Sequence, residues 1–318
     1  MRAMVIDRFG GPEVLQAREM DRPEPGPGEV LVRVVCAGTN PVDAKLRQNA
    51  SWAGLTPPLV LGSDASGVVE AVGPGVTEFS PGDEVYYMDE IFGNTMGTYA
   101  EYNAVPARIV ARKPASLSHE QAAAVPLAGG TAWEAIVRRL NVRPGETVLI
   151  HGGAGGVGSF AVQFARAAGA RVLATASASN QDVLRELGAD VCIDYGARDF
   201  AEVALRETGG RGVDATFDTA GGDLIKRSLP ATRPFGRLAC ILTPAETLGG
   251  LSSRNQTLHG IFVMREADRL REMAAVIEQG RCTPLIGEVM PLEDVRRAHE
   301  RLDSGHGTGK LILRVTEG

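Results

Sequence analysis

The chain has 318 residues and a mass of 33.6 kDa, a length that suits about two domains. With 44% hydrophobic and 23% charged residues it has the composition of an ordinary globular protein, which excludes wholesale disorder. A net charge of -6, from 33 basic and 39 acidic residues, excludes the basic footprint of a nucleic-acid or anionic-membrane binder.

The opening Met1-Arg2-Ala3-Met4-Val5-Ile6-Asp7 meets charge before a signal-peptide core forms, and no apolar run approaches the ~20 residues of a membrane span. A cytoplasmic protein is expected. Pro23, Pro25, Gly26, Pro27 and Gly28 cannot be helical, and they lead into a strand pattern, residues 29–35. Further strands are predicted over 67–72, 83–87, 99–105 and 108–111, each bounded by Pro/Gly turns or close to one. This spacing indicates a small β-rich barrel or sandwich. From Ser118, which with Gln121 matches a capping box, the texture changes.

Strands are then predicted at 147–150, 171–176, 191–193, 215–218, 237–242 and 259–263. Helices fall between them, at 156–168 and about 181–187. Apolar strands alternating with amphipathic helices make this half α/β, with a doubly wound parallel sheet. Helices at 266–279 and 292–302 and a strand at 311–315 have no βαβ rhythm and are read as completing the first domain. The expected division is 1–120 with 264–318 as the β-rich domain and 121–263 as the nucleotide-binding domain.

Four cysteines (Cys36, Cys192, Cys240, Cys282) are too widely spaced for a C-x-x-C pair, and a disulfide framework is not expected in so long a chain. Glycine is in excess: 39 residues, about 12% against a typical value of about 7%. Gly153-Ala154-Gly155-Gly156-Val157-Gly158 fits G-x-G-x-x-G, follows an apolar strand and opens a helix. Gly153, Gly155, Gly156, Val157 and Gly158 are therefore candidate cofactor ligands. Glycines let a pyrophosphate approach the backbone, and helix N-terminal N–H groups attract it. At the tip of the next strand an NAD binder carries Asp or Glu. This chain has Ser177, Ser179 and Asn180 there, which can donate to a 2′-phosphate or cap a helix, so NADPH is the expected cofactor.

The whole length resembles the medium-chain dehydrogenases/reductases, in particular their zinc-independent quinone oxidoreductase branch. The resemblance rests on Gly38-Thr39-Asn40-Pro41-Val42-Asp43, on Leu61-Gly62-Ser63-Asp64-Ala65-Ser66-Gly67, on Gly153 to Gly158, on Val213 to Gly222 and on Gly309-Lys310-Leu311-Ile312-Leu313. It implies a GroES-like β-rich catalytic domain plus a Rossmann domain, with the nicotinamide in the cleft between them, and a homodimer. It also implies that Thr131 and Tyr195 contact the cofactor and that Leu242, Phe262 and Val263 line the nicotinamide, although core packing would also explain these last three.

Where zinc relatives place their ligands, this chain has Asn40, Ser63 and Ala128 or Gly129, which cannot supply a catalytic zinc site. Of the five histidines none pairs at i, i+4, and His299 and His306 are expected at the surface. No metal is therefore expected. Without a Lewis acid the remaining reaction is hydride addition to a quinone or activated alkene, an enone or enal. Asn40 is the candidate donor to a developing enolate oxygen, or a turn Asn before Pro41. Lys45, where many relatives have Tyr, is a candidate proton donor or a solvated Lys. Tyr86 and Tyr87 are further donor candidates. Alternatives are an enoyl-thioester reductase, in which Lys45 and Arg47 serve phosphate-bearing substrates, and a noncatalytic NADPH-binding protein.

Overall fold

Four valines within Glu29–Gly38 favour an extended chain, and eight of its ten residues are buried. In the computed structural model, which describes residues 1–244, 247–305 and 307–317, this is the longest strand. It sits in the middle of a seven-stranded sheet. The order is Ile286–Pro291, Lys310–Arg314, Glu29–Gly38, Asp64–Val72, Glu84–Met88 and Val110–Arg112, with Tyr102–Pro106 also paired to Glu29–Gly38. Its first half pairs with Tyr102–Pro106, and its last residues take Lys310–Arg314 antiparallel, with Ile312 opposite Gly38. A three-stranded sheet, Gln16–Glu19, Arg2–Ile6 and Leu59–Val60, joins the same apolar core. This GroES-like unit comprises Met1–Leu127, Met264–Glu278 and Pro284–Gly318.

The second unit, Ala128–Val263 with Gln279–Thr283, is a Rossmann fold. Its six strands are all parallel, in the order Val191–Asp194, Arg171–Ala176, Thr147–His151, Val213–Asp218, Thr232–Cys240 and Thr257–Gly260. The third, second, first, fourth, fifth and sixth strands in chain order thus lie side by side, the doubly wound arrangement. Helix Gly156–Ala167 is buried from Gly158 through Ala165, not along one face alone. Gln163 survives there because its amide donates to the Ser159 and Thr283 carbonyls and accepts from Thr283 N–H.

The Ser118–Gln121 capping box forms as predicted and starts helix His119–Ala123. Other elements differ from the sequence expectation. Ile286–Pro291 is a strand, masked in the sequence by Gly287 and Pro291. It lies at the sheet's edge, where a missing N–H is tolerated. Asn40-Pro41 opens a helix, Pro41–Gln48, and not the turn that is the alternative reading of Asn40, because Pro is well suited to a first helical position. Helices Phe200–Glu207 and Leu224–Ala231 fill the alternation where none was predicted. The fifth and sixth Rossmann strands end at Cys240 and Gly260, so Leu242, Phe262 and Val263 lie beyond them. Among the described residues no helix is long and apolar enough to cross a membrane.

Candidate active site

In the Rossmann unit the first strand ends at His151, and the chain turns through Gly152 at φ +71°. The turn is tied to the second strand, since Gly153 N–H donates to the Thr175 carbonyl (2.9 Å) and Gly152 N–H to Thr175 Oγ1 (3.2 Å). Gly155 caps the following helix without a side chain, and Gly155, Gly156 and Val157 are half-exposed. The first N–H groups of a helix have no partner within it, so this end is suited to an anion. Gly153 and Gly158 have a packing role. A Cβ on Gly158 would lie 2.0 Å from the Gly152 carbonyl oxygen, and one on Gly153 would lie 2.7 Å from Leu184.

At the tip of the second strand, Ser177 Oγ lies 3.1 Å from Ser179 Oγ and accepts from Asn180 Nδ2 at 3.3 Å. Tyr195 N–H donates to the Ala176 carbonyl, which brings the exposed Tyr195 backbone beside Ser177. Ser177, Asn180 and Tyr195 are thus gathered at one strand end. Thr131 is buried in helix Pro126–Trp133. Beyond the fourth and fifth strands, Leu242 leans over Gly221, where a Cβ would lie 2.6 Å from it. Phe262 is exposed and Val263 is buried.

In the GroES-like unit the pairing of Lys310–Arg314 with Glu29–Gly38 delivers Lys310 to the strand end that precedes Asn40. The Lys310 ammonium donates to Asn40 Oδ1 (2.5 Å), to the Thr39 carbonyl (2.8 Å) and to Asp64 Oδ2 (3.3 Å). Asn40 Nδ2 donates to Asp64 Oδ2 at 3.0 Å and to Ser63 Oγ at 3.4 Å. Asp43, one helical turn on, accepts from Asn40 N–H (2.8 Å), Ser63 Oγ (3.3 Å) and Tyr99 Oη (3.1 Å). All these side chains are buried. Burial pushes the Asp43 carboxyl up to about 7 and raises Asp64 against the pull of Lys310.

The cluster continues through His299, whose Nε2 is 3.3 Å from Tyr99 Oη and whose Nδ1 faces Arg47 at 3.0 Å. Arg47 also donates to Asp303 and to the Gly10 carbonyl. His299 is therefore a buried residue and not a surface one, and burial holds its imidazole down at about 3. His306 lies outside the described residues. Arg47 is fully enclosed by these partners and unavailable to a phosphate-bearing substrate. Tyr86 and Tyr87 are core residues as well. Their hydroxyls donate to the Leu270 carbonyl and Asn103 Oδ1, and burial raises both phenols, so neither is placed as a proton donor. Lys45 is exposed on the same helix as Asp43.

The sequence reading singled out Asn40 but missed that Ser63, Asp64 and Lys310 enclose it. The available signal was two charges set against apolar runs, Asp64 after Leu59-Val60-Leu61 and Lys310 before Leu311-Ile312-Leu313. The donor set does not fit a catalytic zinc. Asn40 and Ser63 offer no thiolate or imidazole, and an ammonium already occupies the carboxamide oxygen.

Residues 26–115 match the family model described as the alcohol dehydrogenase GroES-like domain, and 187–313 match that of the zinc-binding dehydrogenases. Quinone oxidoreductase of Homo sapiens is 31% identical over 98% of this chain and 97% of its own length. The chloroplastic NADPH-dependent alkenal/one oxidoreductase of Arabidopsis thaliana is 34% identical over 98% of this chain and 79% of its own length. Among solved structures, an NAD-dependent alcohol dehydrogenase superposes with a TM-score of 0.93 at 37% identity, covering 99% of this chain and all of the other. A mycobacterial protein complexed with NADPH does so with a TM-score of 0.88 at 32% identity, over 99% of this chain and 100% of the other. The glycine turn, the Asn40 cluster and these full-length likenesses together place the chain, an oxidoreductase, in the medium-chain dehydrogenase/reductase superfamily, within its quinone oxidoreductase branch.

Proposed function

We propose that the protein uses NADPH, without a metal, to reduce a quinone or an activated alkene of the enone or enal class. The observation that carries this reading is the Lys310 ammonium seated on Asn40 Oδ1 and Asp64, at Asn40 and next to Ser63, the positions at which the resemblance puts the ligands of zinc relatives. An acceptor reduced beside this cluster must stabilise its own negative charge. Quinones and conjugated carbonyls do so through their oxygens. The bound cofactor supplies a hydride, and a proton completes the two-electron reduction.

In this reading the N–H groups of Gly156, Val157 and Gly158 hold the pyrophosphate, while Ser177, Ser179 and Asn180 donate to the 2′-phosphate. Tyr195 packs beside that phosphate. Thr131, Leu242, Phe262 and Val263 complete the cofactor contacts. Lys310 and Asp64 fix the Asn40 carboxamide. Its bond to Ser63 is long at 3.4 Å, so that N–H is the one to be released to a developing enolate oxygen. Lys45, exposed at the surface, or solvent provides the proton.

All four cysteines are free thiols, which supports a reducing, cytoplasmic location. The outermost Rossmann strand, Thr257–Gly260, is the proposed edge of a homodimer, to be checked by sedimentation. The function is tested by following NADPH absorbance with a quinone, an enal and an enoyl thioester. Turnover of the first two is expected. Turnover of the thioester alone would replace this reading with an enoyl-thioester reductase, and NADPH binding without any turnover would overturn it.

A further inference from the structure

Two exposed aromatic side chains stand together close to the Asn40 cluster, and the chemistry above gives neither a role. Trp52, on the short turn Ser51–Ala53, is 52% exposed, and Phe92, in the segment after strand Glu84–Met88, is 44% exposed. Their ring centroids are 6.0 Å apart and their planes meet at 84°, so the two faces form the walls of a corner. The neighbours Ala53, Leu55 and Ile91 are buried, so the rings rise from a packed base.

The corner is held rigidly. Gly93 N–H donates to the Ala53 carbonyl at 3.3 Å, which ties the two segments. The Glu90 carboxylate accepts from the N–H groups of Ile91 (2.9 Å) and Phe92 (3.2 Å), and Asn94 Nδ2 donates to Asp89 (3.1 Å). The guanidinium of Arg265 lies 5.9 Å from the Phe92 centroid and is itself nearly buried, held by the Asp89 carbonyl and Glu90. The same segment is anchored to the reaction cluster, because Asp89 N–H donates to the Ser63 carbonyl at 2.6 Å. Phe92 is three residues from Asp89, so its backbone is at most ~11 Å from that anchor.

We infer that Trp52 and Phe92 form an aromatic corner that selects ring-bearing acceptors, quinones above all, over short acyclic enals and enones. The inference rests on the proposed reductase function and names the substrate class within it. A planar ring stacks on one wall and meets the edge of the other, the two favoured geometries of aromatic pairs. An acyclic acceptor of a few atoms gains neither contact.

Two measurements test this. In the first, the kcat/KM ratio for 1,4-naphthoquinone over methyl vinyl ketone is compared between the wild type and Trp52→Leu and Phe92→Leu. The ratio is expected to fall about tenfold in each, mainly through KM for the quinone. An unchanged ratio, with both acceptors impaired equally, overturns the inference. In the second, Trp133→Phe leaves Trp52 as the sole tryptophan of two. Naphthoquinone should quench its fluorescence saturably, with less effect after Phe92→Leu. Linear, non-saturating quenching identical in both proteins overturns the inference too. The fluorescence arm needs no turnover, so a chain that reduces neither acceptor loses the proposed function while the corner is still judged.

Discussion

The Lys310 ammonium stands 3.3 Å from the Asp64 carboxylate, with 4% and 0% of the two side chains exposed. Lys310 opens the C-terminal strand and Asp64 opens the strand beyond Glu29–Gly38, so only the sheet register brings them together. Removing one partner of such a pair leaves an uncompensated buried charge, which costs about 3–5 kcal/mol. Lys310→Met is therefore expected to lower the stability by that order in guanidinium denaturation. Lys310→Met combined with Asp64→Asn should recover a large part of the loss. Equal losses in the single and double variants would show that the ion pair is not what matters.

Buried aspartates and histidines set opposing pH dependences. Burial raises Asp43 and Asp89 to about 7 and lowers His151 and His299 to about 3. Unfolded Asp titrates near ~3.9 and unfolded His near ~6.5. Between about pH 4 and 7 the native aspartates hold more protons than the unfolded ones, so their contribution to stability falls as pH rises. Between about pH 3 and 6.5 the unfolded histidines hold more protons than the native ones, so theirs rises with pH. The two pairs oppose one another between about pH 4 and 6.5, and Asp64, which burial also raises, adds to the aspartates' side. Asp43→Asn removes one of these contributions without breaking the cluster: its oxygen can accept from Asn40 N–H and Tyr99, and its NH2 can donate to Ser63. The variant should then gain a positive slope relative to wild type of about 1.4 kcal/mol per pH unit in that window. Denaturation across pH 4–8 reads it, and superimposable profiles would refute the Asp43 assignment.

Features with local causes were legible in the sequence. The glycine string needs a strand before it and a helix after it, and Ser118 needs only Gln121 three residues on. What escaped depends on contacts far apart in the chain. Arg47 and His299 sit on helices that look like charged surface elements, yet each satisfies the other in the interior, 252 positions apart. Tyr86 and Tyr87 read as donors because sequence shows their hydroxyls but not the Leu270 carbonyl and the Asn103 Oδ1 that receive them. Strand Ile286–Pro291 was hidden for the opposite reason. Its Gly and Pro argue locally for a turn, and its partner Lys310–Arg314 overrides them.

The glycines of the turn separate folding from binding. A Cβ on Gly155 would meet only the Gly152 oxygen, at 3.3 Å, whereas on Gly158 it would be driven to 2.0 Å from that same atom and 2.7 Å from its carbonyl carbon. Gly158→Ala must move the helix off the strand, and a stability loss of at least about 1–3 kcal/mol is expected. Gly155→Ala should unfold within about 1 kcal/mol of wild type, since its φ of -78° is ordinary. Its new methyl group faces the place proposed for the pyrophosphate, so NADPH affinity by calorimetry should fall at least about tenfold. Undiminished affinity in a folded Gly155→Ala would remove the pyrophosphate from this turn.

Ser177 sets the remaining prediction. It stands at the N-cap position of the short helical turn Ala178–Asn180, which Asp fills as well as Ser, so Ser177→Asp should fold normally. The added carboxylate would repel a 2′-phosphate and accept from a ribose 2′-hydroxyl. The ratio of NADPH to NADH affinity is therefore expected to drop by about tenfold or more. Ser177→Ala, which removes a donor and adds no charge, should lower it by less. Repulsion between charges is screened by salt, so the Asp variant's deficit for NADPH should shrink as ionic strength rises, while the Ala variant's deficit should not. A ratio that stays the same in Ser177→Asp would mean that the 2′-phosphate is not bound at this strand tip, and any preference for NADPH would then have to come from elsewhere in the Rossmann unit.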